Sequence, residues 1–417
     1  MRRKVAGVFS LLVLSAFLSY IFITPVRAAV DETYERLKLM IDVMGLINAN
    51  YVELKDNKEL VTGAIHGMVA TLDPFSQFLE PDAYKEMKTE TEGEFGGIGI
   101  RISSKNEWLT VITPLPGTPA YKAGILPEDR IIKVDNKSIY KISVEEAIKF
   151  LRGAPGTKVT VTIAREGVKE PIDFTLTREI IKIETIQSRM LESGIGYIRL
   201  LEFSANSDRD LRKALEELKK KEMKSLILDL RNNPGGLLDV AVDVCQDLLP
   251  SGKLIVYTQG REKISRKDYI SQKNSPYANL PLVVLVNRGS ASGSEIVAGA
   301  VQDLKRGLLV GTTTFGKGSV QSVFPLEDGN ALRLTVAKYY TPSGRSIHRD
   351  EKTGMGGITP DVVIDVPKEV EAKLYMQSED IFAQGKSPQP SVKKENLVED
   401  AVLNKAVELL KKEQVRA

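Results

Sequence analysis

Pro281-Leu282-Val283-Val284-Leu285-Val286 runs without a break into Asn287-Arg288-Gly289-Ser290-Ala291-Ser292-Gly293-Ser294-Glu295-Ile296. The first six residues form a short apolar run, the pattern of a strand buried on both faces. The Ser/Gly-rich stretch behind it reads as a turn, and a helix follows. The same order occurs upstream. Ser225-Leu226-Ile227-Leu228-Asp229-Leu230 precedes Gly235-Gly236, and an apolar helical stretch then runs from Leu237 to Leu249. Strands and helices alternate in this way from about Glu184 to Val366, which predicts an α/β core over residues 183–367. Cys245, alone in the chain, falls in the helical stretch and reads as a packed core thiol.

A strand that turns sharply into a helix is the setting a nucleophilic hydroxyl requires, with open space above the turn. The next backbone N–H then stands at a helix N-terminus, where unpaired donors and the dipole favour an oxyanion. Ser/Gly turns before helices are also ordinary N-caps, so this stretch alone leaves both readings open.

Downstream lies Thr313-Thr314-Phe315-Gly316-Lys317-Gly318-Ser319-Val320-Gln321. Glycines on both sides of Lys317 permit close backbone approach. Gly316-Lys317-Gly318-Ser319 has the look of the end of a phosphate-binding loop. The spacing of that motif fails, however, and the residues after the lysine read as a strand rather than a helix. A Ser–His–Asp triad is hard to build from two histidines, His66 on a helical stretch and His348 among Arg345, Arg349 and Asp350. His348 reads as surface. A lysine can serve as base when burial disfavours its charged form. Lys317, in an apolar, hydroxyl-rich stretch, is the best candidate, since most other lysines sit in solvated runs such as Lys219-Lys220-Lys221. No metal-ligand cluster and no cofactor motif are legible.

Upstream of the core, residues 93–182 change character to short β runs, Gly-rich turns and one clear helix. Gly96-Gly97-Ile98-Gly99-Ile100 leads into an alternating strand, and Trp108–Thr113, Asp129–Asp135, Val159–Ala164 and Ile172–Thr177 add others. Ser143, with Glu146 three residues on, is a capping box for a helix whose apolar face carries Val144, Ile148 and Leu151. Residues 29–92 are helical in pattern, with Leu37, Ile41 and Met44, then Leu60, Ala64, Met68 and Leu72, at helical spacing. Residues 368–417 contain a turn-rich linker, Gly385 to Pro390, and a final helix with Leu403, Val407 and Leu410 as its stripe. Such a stripe docks on its own domain or on a partner. Residues 1–28 stand apart: Arg2, Arg3 and Lys4 precede an apolar run to Ile23, and Val26-Arg27-Ala28 suits cleavage after Ala28. The run is also long enough to be an uncleaved membrane anchor. Either reading makes the remainder extracytoplasmic, in the periplasm or on the outer face of the cytoplasmic membrane. Of 417 residues, 58 are basic and 55 acidic, giving a net charge of +3 that argues against a nucleic-acid binder.

Ser290-Ala291-Ser292-Gly293-Ser294-Glu295-Ile296 and Thr314-Phe315-Gly316-Lys317-Gly318-Ser319-Val320-Gln321 together closely resemble the signature of the C-terminal processing peptidases, or tail-specific proteases. The helical N-terminal segment, a PDZ-like module, Asp229-Leu230-Arg231-Asn232-Asn233-Pro234-Gly235-Gly236 and Tyr340-Thr341-Pro342-Ser343-Gly344 fall in that family's order. The resemblance implies a multidomain α/β protein: a peptidase core, an inserted PDZ-like β-rich module, and helical segments at both ends. It implies Ser292 as nucleophile, Lys317 as general base and Gln321 as the residue that orients the lysine amine. It also implies an oxyanion hole from the N–H of Gly293 with that of Gly235 or Gly236. Family members often have alanine in place of Gly293, a change that keeps the backbone donor. In the PDZ-like module the turn with Gly97, Ile98, Gly99 and Ile100 would capture a C-terminal carboxylate, and Ile98, Ile100, Val144 and Ile148 would line the pocket for an apolar last residue. Arg152 occupies the place of an arginine that senses bound peptide in some members; it also suits a helix C-terminal cation.

The expected activity is therefore serine-type hydrolysis of exported proteins, recognised by their C-terminal tails. The resemblance also admits a regulatory protein partner and self-association through the terminal helices. Two other classes stay open on sequence: a PDZ adaptor whose core only scaffolds, and an α/β enzyme acting on a small ester or thioester. The PDZ-like module counts against the second, and the joint presence of Ser292, Lys317 and Gln321 against the first.

Overall fold

The computed structural model describes residues 33–105, 107–115, 117–126, 128–142, 144–182, 184–350, 353–367, 369–371, 373–374, 377 and 398–412. The expected signal or anchor at 1–28, the cap at Ser143 and the linker Gly385–Pro390 lie outside these residues. Two compact units are formed, Met1–Phe78 and Leu79–Ala417.

The first unit holds α1 (33–50) and α2 (Asn57–Ala70). Asp56 starts α2 by accepting the N–H of Lys58 at 3.0 Å. Beyond it, the Asp73 carboxylate accepts from the N–H of Phe75 and of Ser76, an Asx turn that stops helical continuation. His66 sits edge-on to Phe78, with ring centroids 5.4 Å apart. The apolar residues that gave these helices their period are largely on the surface: Ile41 is 63% exposed and Met68 63%.

β1 (Gln77–Leu79) and α3 (Pro81–Glu92) lead into a β-rich module of the second unit. It comprises β2 (Glu94–Gly97), β3 (Ile100–Lys105), β4 (Trp108–Pro114), α4 (Pro119–Ala123), β5 (Arg130–Val134), β6 (Lys137–Ser138), α5 (Val144–Leu151), β7 (Lys158–Ala164), β8 (Ile172–Thr177) and β9 (Glu179–Lys182). The main sheet runs β3-β4-β5-β7-β8, all antiparallel. Alternation puts Val159, Val161 and Ile163 inward beside Leu109, Val111 and Ile131. β2 and β9 pair antiparallel and clasp the two ends of the module together. Arg178, buried in front of β9, donates to the carbonyls of Phe150 and Leu151 and so holds the C-terminal end of α5.

The core supplies β10 (Ile186–Met190), β11 (Ile195–Leu200), α6 (Ser207–Lys220), β12 (Ser225–Asp229), α7 (Leu238–Leu248), β13 (Leu254–Gly260), β14 (Lys267–Ile270), β15 (Leu282–Val286), α8 (Gly293–Asp303), β16 (Leu308–Gly311), β17 (Ser319–Pro325), β18 (Ala331–Tyr340), β19 (Val362–Val363) and α9 (Ala401–Lys411). The main sheet runs β10-β11-β12-β15-β16-β19, parallel from β11 onward. Its central strands β11, β12 and β15 are buried on both faces, hence the apolar runs of β12 and β15. Leu226, Leu228, Val284 and Val286 face the cluster that holds α6, α7 and α8, including Cys245. Ile227, Val283 and Leu285 face the other way, where α9 covers them with Val402, Ala406 and Leu409. Burying Val402 and Leu409 contributes about 1.5–3 kcal/mol each. The last helix thus docks on its own unit. Its buried stripe lies one residue earlier than Leu403, Val407 and Leu410, which are half-buried beside it. A second, antiparallel sheet sets β17, β18, β13 and β14 side by side.

Candidate active site

Three loops leave the carboxyl ends of parallel strands β12, β15 and β16, the edge where open α/β sheets place their ligands. The β15 loop carries Ser290, Ser292 and Ser294, and the structure separates their roles. Ser290 donates its hydroxyl to the carbonyl of Leu230 at 2.8 Å, and Ser294 donates to that of Asn233 at 2.9 Å. Both hold the turn in place. Ser292 is different: it takes φ 52 and ψ −110, outside the regions open to an ordinary side chain. Such a conformation costs on the order of 1–3 kcal/mol and persists only where its surroundings over-determine it. Its side chain is 7% exposed, directly before the first turn of α8.

The surroundings that fix Ser292 are built on Glu295. This carboxylate is fully buried and accepts four hydrogen bonds. One oxygen takes the Thr314 hydroxyl at 2.5 Å and the Gly316 N–H at 2.6 Å. The other takes the N–H of Ser292 at 2.9 Å and of Lys317 at 2.8 Å. Burial pushes the Glu295 carboxyl up from the usual glutamate value, and the four donors oppose that rise. One side chain therefore staples the β15 loop to the β16 loop, with Phe315 N–H on the Ser290 carbonyl as a second link at 3.0 Å.

Lys317 is half-buried. Burial lowers its ammonium below the ordinary lysine value, Arg333 adds repulsion, and Glu295 acts the other way. Two glycines make room for it: a Cβ on Gly318 would lie 2.3 Å from the His348 backbone, and one on Gly316 2.6 Å from Arg349. Arg349 donates to the carbonyls of Phe315 and Thr314 and clamps the lysine loop. His348, expected at the surface, is half-buried and with Arg349 forms the wall of this loop. Gln321 stands on β17 opposite Thr335, next to a register shift between Val320 and Gln321.

The β12 loop comes in from the other side. A Cβ on Gly235 would meet the Ser292 Cβ at 2.7 Å and the Gly293 nitrogen at 2.8 Å, and φ there is +99. Only glycine fits. The Gly235 N–H, however, is donated to Asn233 Oδ1 at 2.8 Å, so it does not serve as an oxyanion donor. Gly236 bridges Phe203 through the carbonyl of Gly235 and the N–H of Leu237, which leaves its own N–H turned away from that bridge. Gly293 and Gly236 are thus the candidate donors. Sequence reasoning missed two residues, Glu295 and Tyr339. Tyr339, 4% exposed on β18, brings its hydroxyl to the Ser292 side chain, and burial pushes that phenol up so that it stays protonated. Glu295 had a signal, an acid three residues after the turn serine. Tyr339 had none.

In the β-rich module α5 packs along β3, with Ile100, Ile102 and Val144 partly buried between them and Ile148 half-exposed. Two expectations change. Phe95–Gly97 are strand β2, so the turn is reduced to Ile98 and Gly99. Ile98 is 2% exposed and belongs to the module's core rather than to an open pocket. Gly99 has φ 74 and lies against Thr118. The Arg152 guanidinium sits 4.3 Å above the Phe95 ring and pairs with Glu86 at 3.7 Å.

Comparison with known proteins fits this geometry. The profile of peptidase family S41 matches residues 194–364, that of a PDZ domain residues 110–165, and that of the activating protease CtpB N-terminal domain residues 23–83. A carboxy-terminal-processing protease of Bartonella bacilliformis is 42% identical over 349 residues, covering 83% of this chain and 79% of its own length. The carboxy-terminal processing protease CtpA of Bacillus subtilis is 38% identical over 341 residues, covering 81% and 71%.

The chain belongs to peptidase family S41.

It is a serine-type, carboxy-terminal-processing peptidase with a PDZ domain. Among solved structures, a Bacteroides fragilis protein described as an S41 protease shares the fold at a TM-score of 0.50 and 17% identity, covering 87% of this chain and 91% of its own. In this S41 chain the family profile ends before α9, which nonetheless buries one face of the core sheet.

Proposed function

We propose that this peptidase is exported, takes protein substrates by their C-terminal tails in the groove between β3 and α5, and cleaves them through an acyl-enzyme on Ser292. The observation that carries the reading is the Glu295 staple, which joins the strained Ser292 turn to a lysine whose burial favours the neutral amine. Neutral Lys317 accepts the Ser292 proton as Oγ attacks the scissile carbonyl. The N–H groups of Gly293 and Gly236 receive the resulting oxyanion. The proton passes to the leaving amine, the peptide bond breaks, and the ester left on Ser292 is hydrolysed by water that Lys317 deprotonates in turn. Gln321 orients the amine from β17. Export rests on residues 1–28, a signal or an anchor. Tail recognition rests on the PDZ profile, with Ile100, Val144 and Ile148 nearest the groove. The exposed apolar residues of α1 and α2 favour self-association through the first unit.

The test is digestion of an unstructured protein by the wild type beside Ser292→Ala and Lys317→Ala, across pH. Wild-type activity should rise with pH to a plateau, with a midpoint below the ordinary lysine value of about 10.4. Each variant should lose on the order of 100-fold or more. Lys317→Ala with wild-type turnover would sink the assignment.

A further inference from the structure

The last helix carries a charge into the support of the β12 loop. Arg231 lies between two carboxylates. Asp229 accepts from its Nε at 3.0 Å and Nη2 at 2.6 Å. Asp400, 169 residues away in sequence, accepts from Nη1 at 2.9 Å on one oxygen and from Nη2 at 2.8 Å on the other. That is a bidentate fork with both side chains mostly buried, at 15% and 16% exposed. Asp229 is itself saturated: it also accepts the Arg231 N–H at 2.9 Å and the Tyr197 hydroxyl at 2.7 Å. Burial would raise the Asp229 carboxyl, but Arg231, together with Arg199 and the Tyr197 hydroxyl, holds it below the usual range.

From Arg231 the support runs on to the nucleophile. The Asn232 N–H is donated to Asn287 Oδ1 at 2.9 Å. The Asn233 carbonyl accepts the Ala291 N–H and the Ser294 hydroxyl, and its side chain holds Gly235 against Ser292. A cavity of about 90 Å³ borders Arg231, lined among others by Arg189, Arg199, Asp229 and Asp400. Without the Asp400 charge, the guanidinium is held by Asp229 alone and has space to turn into, in a cavity whose lining also carries Glu371.

We infer that Asp400 is a positioning residue for the oxyanion loop, acting through Arg231, so that the residue capping the C-terminal helix serves the active site while the helix behind it covers the sheet. The inference rests on the reading of Ser292, Gly293 and Gly236 given above. Asp400 also caps α9, one oxygen accepting the Leu403 N–H at 3.0 Å. This makes a clean test possible. Asparagine caps as well as aspartate. In Asp400→Asn the retained oxygen keeps Leu403 and Nη1, while the amide NH₂ faces Nη2, donor against donor.

The experiment compares the full chain with Asp400→Asn and Leu409→Ala, the second loosening α9 without touching the fork. It reads kcat and KM on an unstructured substrate, the rate of Ser292 labelling by a fluorophosphonate, and Tm. For Asp400→Asn, kcat and labelling rate should fall together about tenfold, a fraction of what deleting an oxyanion donor does, with KM close to wild type and Tm lowered by the loss of a buried charge partner. Leu409→Ala should lower Tm and, assayed well below it, keep kcat. Wild-type kcat and labelling in Asp400→Asn would overturn the inference alone. So would an equal loss of kcat in Leu409→Ala, since the effect would then be helix docking. A wild type that is not labelled at Ser292, or a Ser292→Ala variant that still turns over, would overturn the site reading and this inference with it.

Discussion

Replacing Glu295 by glutamine tests the staple with the smallest change of shape. The amide oxygen can occupy the side that serves Ser292 and Lys317, keeping both N–H bonds. Its NH₂ then faces Thr314 and Gly316. The Thr314 hydroxyl, which also accepts the Ile358 N–H at 2.7 Å, can turn to accept from the amide. The Gly316 N–H cannot reverse and is left buried without an acceptor, at about 1–3 kcal/mol. The two retained bonds also lose their charge assistance, roughly 0.5–1 kcal/mol each. Glu295→Gln should therefore lose about 2–5 kcal/mol at pH 7. Urea unfolding followed by far-UV circular dichroism measures this as a lower midpoint at unchanged slope. The sign of the pH dependence follows from the raised carboxyl of Glu295. As pH falls, the wild-type fold takes up a proton on Glu295 before the unfolded chain does and is stabilised by it, while the amide variant takes up none there. The gap between the two proteins should therefore widen on the acid side. A difference under about 0.5 kcal/mol at pH 7, or one that shrinks as pH falls, would refute the reasoning.

Two further outcomes are expected. Tyr339→Phe removes one hydroxyl from the Ser292 side chain and leaves the packed ring; the loss of a hydrogen bond to the developing charge is about 1.5 kcal/mol, roughly tenfold in kcat, with little change in KM. An unchanged kcat would make the contact incidental. Light scattering on the chain from Ala29 should give a mass above that of one chain. Ile41→Lys, on the exposed face of α1, should bring the mass down to one chain, whereas a single-chain mass for both would remove self-association through the first unit.

Much of the architecture was legible because the parallel strands are buried on both faces. Ser225–Leu230 and Pro281–Val286 therefore stand out as apolar runs in an otherwise charged chain. The candidate nucleophile and lysine were legible because glycines crowd around them, and the structure gives the reason: at Gly235, Gly316 and Gly318 a Cβ would strike neighbouring chain. Periodicity was a poorer guide to burial. In α1 it marked residues that stay exposed, and in α9 it pointed one residue away from the buried stripe, because the sequence gives a helix's faces but not which one meets a partner.

By itself the sequence determined the local conformations, the order of the elements and the residue types able to do the chemistry, since these depend on neighbours along the chain. Only the tertiary structure decided which of three serines has a hydroxyl not tied to a turn carbonyl, and that Gly235 serves for close approach while its N–H is engaged elsewhere. It also brought in Glu295, Tyr339 and Asp400. The physical reason is common to all of these. A hydrogen bond is a fact about two groups in space, and Asp400 meets Arg231 across 169 residues that no local pattern spans.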